Sequence, residues 1–189
     1  MSSVSGPLLA IGGVIVGAVL NNFFGEDYRR HKDSTALAAA LAGELKGHII
    51  GARGLADHLR HIAALLDPLA DPDTKLVFRK SEMPNDPIFA ANAGKIGILG
   101  RHLAHEAALA YQMIAAYRHV HKVVMDAWDE MTTDEKFTRV TTLLDLIDSN
   151  VERGEKTIQG LEHYSESGTF AGWVKSFSLW QFATKRAST

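Results

Sequence analysis

Cysteine is absent from the 189 residues. That removes disulfides and cysteine nucleophiles, and it suits a reducing compartment. An excess of one charge is also lacking, since 20 Lys and Arg face 22 Asp and Glu. Such balance excludes the broad basic surface of a general nucleic-acid binder. The chain has no phosphate-cradling G-x-x-x-x-G-K-[ST] and no G-x-S-x-G elbow. It shows no internal repeat and no low-complexity tract. Apart from Pro7, proline is confined to Pro68–Pro87.

A long uncharged run stands at the start. Residues Pro7–Phe24 read PLLAIGGVIVGAVLNNFF. A bilayer core of roughly 30 Å asks for about 20 apolar residues at 1.5 Å each, so the run, a little short, predicts a transmembrane helix that stands nearly upright or thins the membrane. Phe23, Phe24 and Tyr28 suit the headgroup level. A signal peptide is the first competing reading, but the leader MSSVSG has no Lys or Arg and no small-x-small site follows. A buried core helix is the second, and it fits poorly with a run apolar on every face. Arg29, Arg30 and Lys32 come just after the run, so the positive-inside rule puts the C-terminal bulk in the cytoplasm. Gly13 and Gly17 form a G-x-x-x-G pair that lets two helices approach closely in lipid.

The expected organisation has five parts. Residues 1–6 are a leader, 7–24 the membrane helix and 25–33 a charged juxtamembrane collar. Residues 34–166 form an all-α antiparallel bundle, and 167–189 an aromatic tail. Ser34 is expected to cap a helix carrying the stripe Leu37, Leu41, Leu45, His48, Ala52, Leu55, Leu59, Ile62 and Leu66. Gly43, Gly47, Gly51 and Gly54 line one side of it, where a neighbour would pack closely. Asp67-Pro68 ends it. A proline-rich loop follows, in which Leu76, Val77 and Phe78 form a short extended piece or plug the core. Asp86-Pro87 starts a short helix, with Asp as cap and Pro at its first position.

Two long helices complete the bundle. One runs from about Arg101 to Trp128 with apolar residues at three- and four-residue steps. The next starts at Thr133, with Asp134 and Glu135 in its first turn. The short connection between them predicts an antiparallel hairpin. In the tail, Phe170, Trp173, Phe177, Trp180 and Phe182 are interspersed with Lys175, Lys185 and Arg186. Such a segment lies in the membrane interface or packs on the bundle or a second subunit, the commoner fate of aromatics.

At PIFAANAGKIGILGRHLAHEAALAY, which lies within Pro87–Tyr117, the chain resembles small, uncharacterised bacterial membrane-anchored helical proteins. The resemblance extends back through AALAGEL and the basic collar to about Leu8. It implies an anchored all-α architecture with a central hairpin, and it carries over no catalytic residue.

Nine histidines are the one concentration of chemistry. His58 with His61, and His102 with His105, are each three apart and so share a helix face. Were their two helices antiparallel, four imidazoles would meet at one depth and hold a divalent ion. Glu44 with His48, Asp57 and Glu106 would add oxygen ligands or outer partners. The Glu-x-x-His spacing of a carboxylate-bridged bundle site is missing. Solvent-facing His58 and His61, with half-buried, hydrogen-bonded His102 and His105, is the plainer reading. The expected protein is therefore a scaffold or interaction protein anchored once in the inner, cytoplasmic membrane. Its partners would be the lipid bilayer and a second copy or other protein subunits. It would have no catalytic residue, no cofactor and no nucleic-acid partner. A histidine-based metal-binding bundle is the alternative.

Overall fold

The computed structural model describes the backbone of residues 5–66 and 83–167, with side chains for 25–66 and 83–167. All regular structure in these residues is helical. The order is α1 (Ser5–Leu66), α2 (Pro87–Asn92), α3 (Arg101–Ala127) and α4 (Thr133–Glu166). Single 3-10 segments at Ala93–Leu99 and Trp128–Glu130 flank α3. The all-α class and the bundle expected from the periodicity are both present.

Helix α1 is one continuous element of 62 residues. The charged collar lies inside it, because no Pro or Gly interrupts Glu26–Ala42. Ser34 therefore does not begin a helix. Its Oγ donates to the His31 carbonyl at 2.8 Å, and Thr35 Oγ1 donates to the same carbonyl at 3.1 Å. Hydroxyls that bond back to the preceding turn are typical of helix interiors rather than caps.

Among the described residues no helix is long and apolar enough to cross a membrane. Pro7–Phe24 has helical backbone within α1, but its side chains, with Gly13 and Gly17, lie outside the described residues. So do Leu76–Phe78 and the aromatic tail from residue 168 onward.

The chain divides into two compact units, residues 1–37 with 164–189, and residues 38–163. In the first, Ser34 is buried and its Oγ lies 3.0 Å from the Tyr164 hydroxyl. His31 Nε2 reaches the Ser167 carbonyl at 2.8 Å, and its ring meets Tyr164 edge-on.

The second unit holds a core built by three helices. Ala56, Leu59, Ile62 and Leu66 of α1 pack with Val124 and Trp128 and with Val140, Leu143 and Ile147 of α4. Contacts along the helices give their directions. Lys46 pairs with Glu162 at 2.6 Å, Arg53 with Glu155, and Arg60 with Asp148 at 2.9 Å. The three cations follow one another at seven-residue steps along α1, and their partners step back along α4 at the same interval. This is the register of two antiparallel helices. Each pair is solvent-exposed and contributes well under 1 kcal/mol, so they set register more than stability. Arg153 lies 3.9 Å from Glu106, and Leu103 Cδ2 stands 3.0 Å from where a Cβ on Gly160 would be. Helices α3 and α4 are thus the expected antiparallel hairpin. It follows that α1 and α3 run parallel.

Glycine has two uses here. Gly100 adopts φ +81° between the 3-10 segment and α3, a conformation that side chains with a Cβ rarely take. Gly154 of α4 lets Ile49 approach, since an added Cβ would stand 2.7 Å from Ile49 Cδ1. The row Gly43, Gly47, Gly51 and Gly54 behaves otherwise than expected: nothing lies within 4 Å of an added Cβ at any of them. Gly51 and Gly54 open instead onto a cavity that α3 and α4 also line. Replacing Gly43 and Gly47 together by Ala is expected to raise stability by about 1–2 kcal/mol through helix propensity alone. Urea unfolding followed by circular dichroism measures it. A loss of stability would mean that another surface seats on this row.

Candidate functional site

The most organised chemistry in the second unit is centred on Glu44. This residue sits on α1 beside the buried Leu41 and Leu45. Its Oε1 accepts the Ile88 amide at 2.8 Å, and its Oε2 accepts the Phe89 amide at 3.0 Å and the Tyr111 hydroxyl at 2.7 Å. The two amides belong to the first turn of α2, where backbone donors have no partner within the helix. The cap of α2 is therefore supplied from α1. Asp86 occupies the expected cap position but makes no side-chain cap hydrogen bond. Its carboxylate turns instead to Arg118, whose Nη1 and Nη2 donate to Oδ2 and Oδ1, both at 2.5 Å. His48 Nε2 lies 2.8 Å from Asp86 Oδ1, out of hydrogen-bond alignment. Arg118 Nη2 also donates to the Pro84 carbonyl at 2.5 Å. The Phe89 ring stacks on Tyr111 at 4.0 Å.

Electrostatics follow from this packing. Burial, and then the Glu44 hydrogen bond, push the Tyr111 hydroxyl far above the usual phenol range. The Asp86 hydrogen bond holds the Arg118 guanidinium still more firmly protonated. Every carboxylate oxygen of the pair is engaged, by backbone amides, a phenol or a guanidinium. The arrangement clamps α2 and its preceding loop onto α1 and α3.

A cavity of about 740 Å³ lies against this network, between α1, α3 and α4. Leu45, Ile49, Leu55, Ile114 and Ile147 supply apolar wall, with Tyr117 and His121 among them. The Tyr117 and His121 rings stack at 6.0 Å. The Tyr117 hydroxyl is buried without a hydrogen-bond partner among the described residues, and burial raises its pKa strongly.

Burial also lowers the pKa of His121, which is only 3% exposed. Below the ordinary histidine value of 6.5 the unfolded chain then binds a proton that the folded chain resists. Stability is expected to be full above that pH and to fall as pH drops through it toward the lowered value. Urea midpoints at pH 8 and pH 5 check this. The decline in wild type should exceed that in His121→Leu.

The paired histidines are not gathered. His58, His61, His102 and His105 are all exposed. Because α1 and α3 are parallel, the pair late in α1 and the pair early in α3 lie at opposite ends, roughly 30 Å apart at 1.5 Å per residue. Among the described residues no group of three or more His, Asp or Glu is placed to hold a metal ion. Glu44 and His48 do share a site, Glu44 as the outside cap of α2 and His48 beside Asp86. Asp57 serves Arg60 at 3.0 Å, and Glu106 faces Arg153. Tyr111 and Arg118 are the functional-looking residues that the pattern did not flag. Their seven-residue spacing on α3 puts them on one face two turns apart, a faint signal until Glu44 and Asp86 are seen opposite. Comparison with known proteins returns no matching family model, no similar curated protein and no similar solved structure.

Proposed function

We propose that this chain is a single-pass inner-membrane protein whose cytoplasmic helical bundle serves as a scaffold for other subunits or for further copies of itself. The observation that carries the reading is the uncharged run Pro7–Phe24, helical throughout its backbone and followed by Arg29, Arg30 and Lys32. Within the bundle, Glu44 pairs with Tyr111 and Asp86 with Arg118, and both pairs join its helices. The resemblance to small bacterial anchored helical proteins agrees with the proposal. Gly13 and Gly17 are the proposed contact between membrane helices.

Alkaline carbonate extraction of membranes tests the anchor. The full chain should stay with the lipid. A variant with Ile15→Arg and Val16→Arg should be released, since each central charge costs about 3 kcal/mol of insertion. Release of the unaltered chain would refute the anchor. Light scattering on detergent-solubilised protein tests assembly, and a strict monomer that captures no partner would refute the scaffold role.

A further inference from the structure

We propose that residues 83–92, the loop and α2, form a strap that lifts off the second unit as one piece while the three-helix core stays folded. The inference is independent of the membrane anchor. The strap is bonded within itself: the Ala90 amide donates to the Asp86 carbonyl at 2.9 Å, and Asn92 Nδ2 donates to the Ile88 carbonyl at 2.8 Å. Few groups join it to the helices. Among the described residues, all its hydrogen bonds to them run to Glu44 or Arg118. No residue of α2 is buried, and Met83, Ile88 and Phe89 are only half-buried. The core cluster around Leu59, Val124 and Leu143 includes none of them.

Two features separate the strap from the core. First, its latch is polar. Water replaces the amide, carboxylate and guanidinium partners when the strap lifts, and little apolar surface is exposed. The core is held by buried apolar area, which water does not replace. A segment with few buried apolar contacts opens more readily than the domain unfolds. Second, the 3-10 segment Ala93–Leu99 lies between the strap and α3. Hydrogen bonds in such a segment are of poorer geometry than those of an α-helix, which suits it as a hinge. Leu99, its one buried residue, keeps the far end of the hinge on the bundle. Opening has two effects. Met83 and Pro84 line the cavity beside Leu45, His48 and Ile49, so lifting the strap removes part of that wall. It also releases Arg118 from Asp86, and Glu44 from the two α2 amides.

Amide hydrogen exchange of the purified full chain, read by mass spectrometry on peptides covering 84–92 and 140–147, tests the strap. Relative to their unprotected rates, the Ile88, Phe89 and Ala90 amides should exchange roughly 100-fold or more faster than the core amides of 140–147. Their rate should change little with urea below the unfolding transition, because the opening exposes little surface, whereas the core rate should climb steeply. Leu59→Ala separates the two openings. It should speed core exchange by roughly 100-fold or more and leave the strap rate unchanged. Arg118→Met removes the bonds to Asp86 and Pro84, and should speed strap exchange roughly tenfold or more. Two results would each overturn the proposal: strap and core amides of the unaltered chain sharing one protection and one urea dependence, or Leu59→Ala speeding both alike. A strap rate unchanged in Arg118→Met would overturn the assignment of that guanidinium as the latch. The urea dependence of the unaltered chain decides the matter even if a variant fails to fold.

Discussion

Glu44→Ala is expected to destabilise the second unit by about 3 kcal/mol, roughly 1 kcal/mol for each of three donors left without its acceptor. Those donors are the Ile88 and Phe89 amides and the Tyr111 hydroxyl. In a domain of this size such a loss lowers the melting midpoint by about 10 °C. Calorimetry or circular dichroism on the purified full chain measures it. Glu44→Gln keeps one acceptor oxygen and should lose less than the alanine variant. Tyr111→Phe removes one donor along with its need, so it should cost only about 1 kcal/mol. The double variant should then be less unstable than the two single losses added together, because both delete the same bond. Strict additivity would show that the carboxylate and the phenol do not depend on each other. A melting point unchanged in Glu44→Ala would remove the clamp from the account of this fold.

The second large effect lies in the core. Leu59 is wholly buried among residues from three helices. Leu59→Ala removes most of a buried aliphatic side chain and leaves a cavity that rigid neighbours close only in part, costing about 3–4 kcal/mol. Leu65, half-buried and outside that cluster, is the control, and its alanine variant should lose about 1 kcal/mol. Equal losses at the two positions would contradict the packing. Leu59→Ala combined with Leu143→Ala should not be additive, since both line one core and share its relaxation.

Much of the helical content is legible in the residues themselves. The stripes at three- and four-residue steps put Leu41, Leu45, Leu59 and Ile62 inside, and likewise Val140, Ile147, Ile158 and Leu161. Pro87 and the Thr132–Glu135 acids mark real helix starts, the latter with Thr132 Oγ1 accepting the Glu135 amide at 3.3 Å. These features are local, and local backbone chemistry decides them.

Ser34 shows where local chemistry stops being sufficient. A serine at the head of an Ala/Leu run is a good cap in isolation. Here the preceding collar is itself able to be helical, so the hydroxyl turns back to His31 and also meets Tyr164, 130 residues away. The histidine pairs failed as a cluster for a related reason. Their spacing within each helix is correct, but whether two helices run parallel or antiparallel depends on the whole path of the chain.

The sequence by itself determined that this protein is all-α, where α2, α3 and α4 begin, and which faces of the helices are apolar, because those properties arise from neighbours within a few residues. It also carried the seven-residue steps of Lys46, Arg53 and Arg60, and of Asp148, Glu155 and Glu162, without saying that they belong together. Only the tertiary structure decided that α1 is antiparallel to α4 and parallel to α3, that Glu44 caps a helix more than forty residues away, and that a cavity stands beside Tyr117. Such pairings join segments distant in the chain, and burial in a shared interior selects them, not the conformational preference of any one segment.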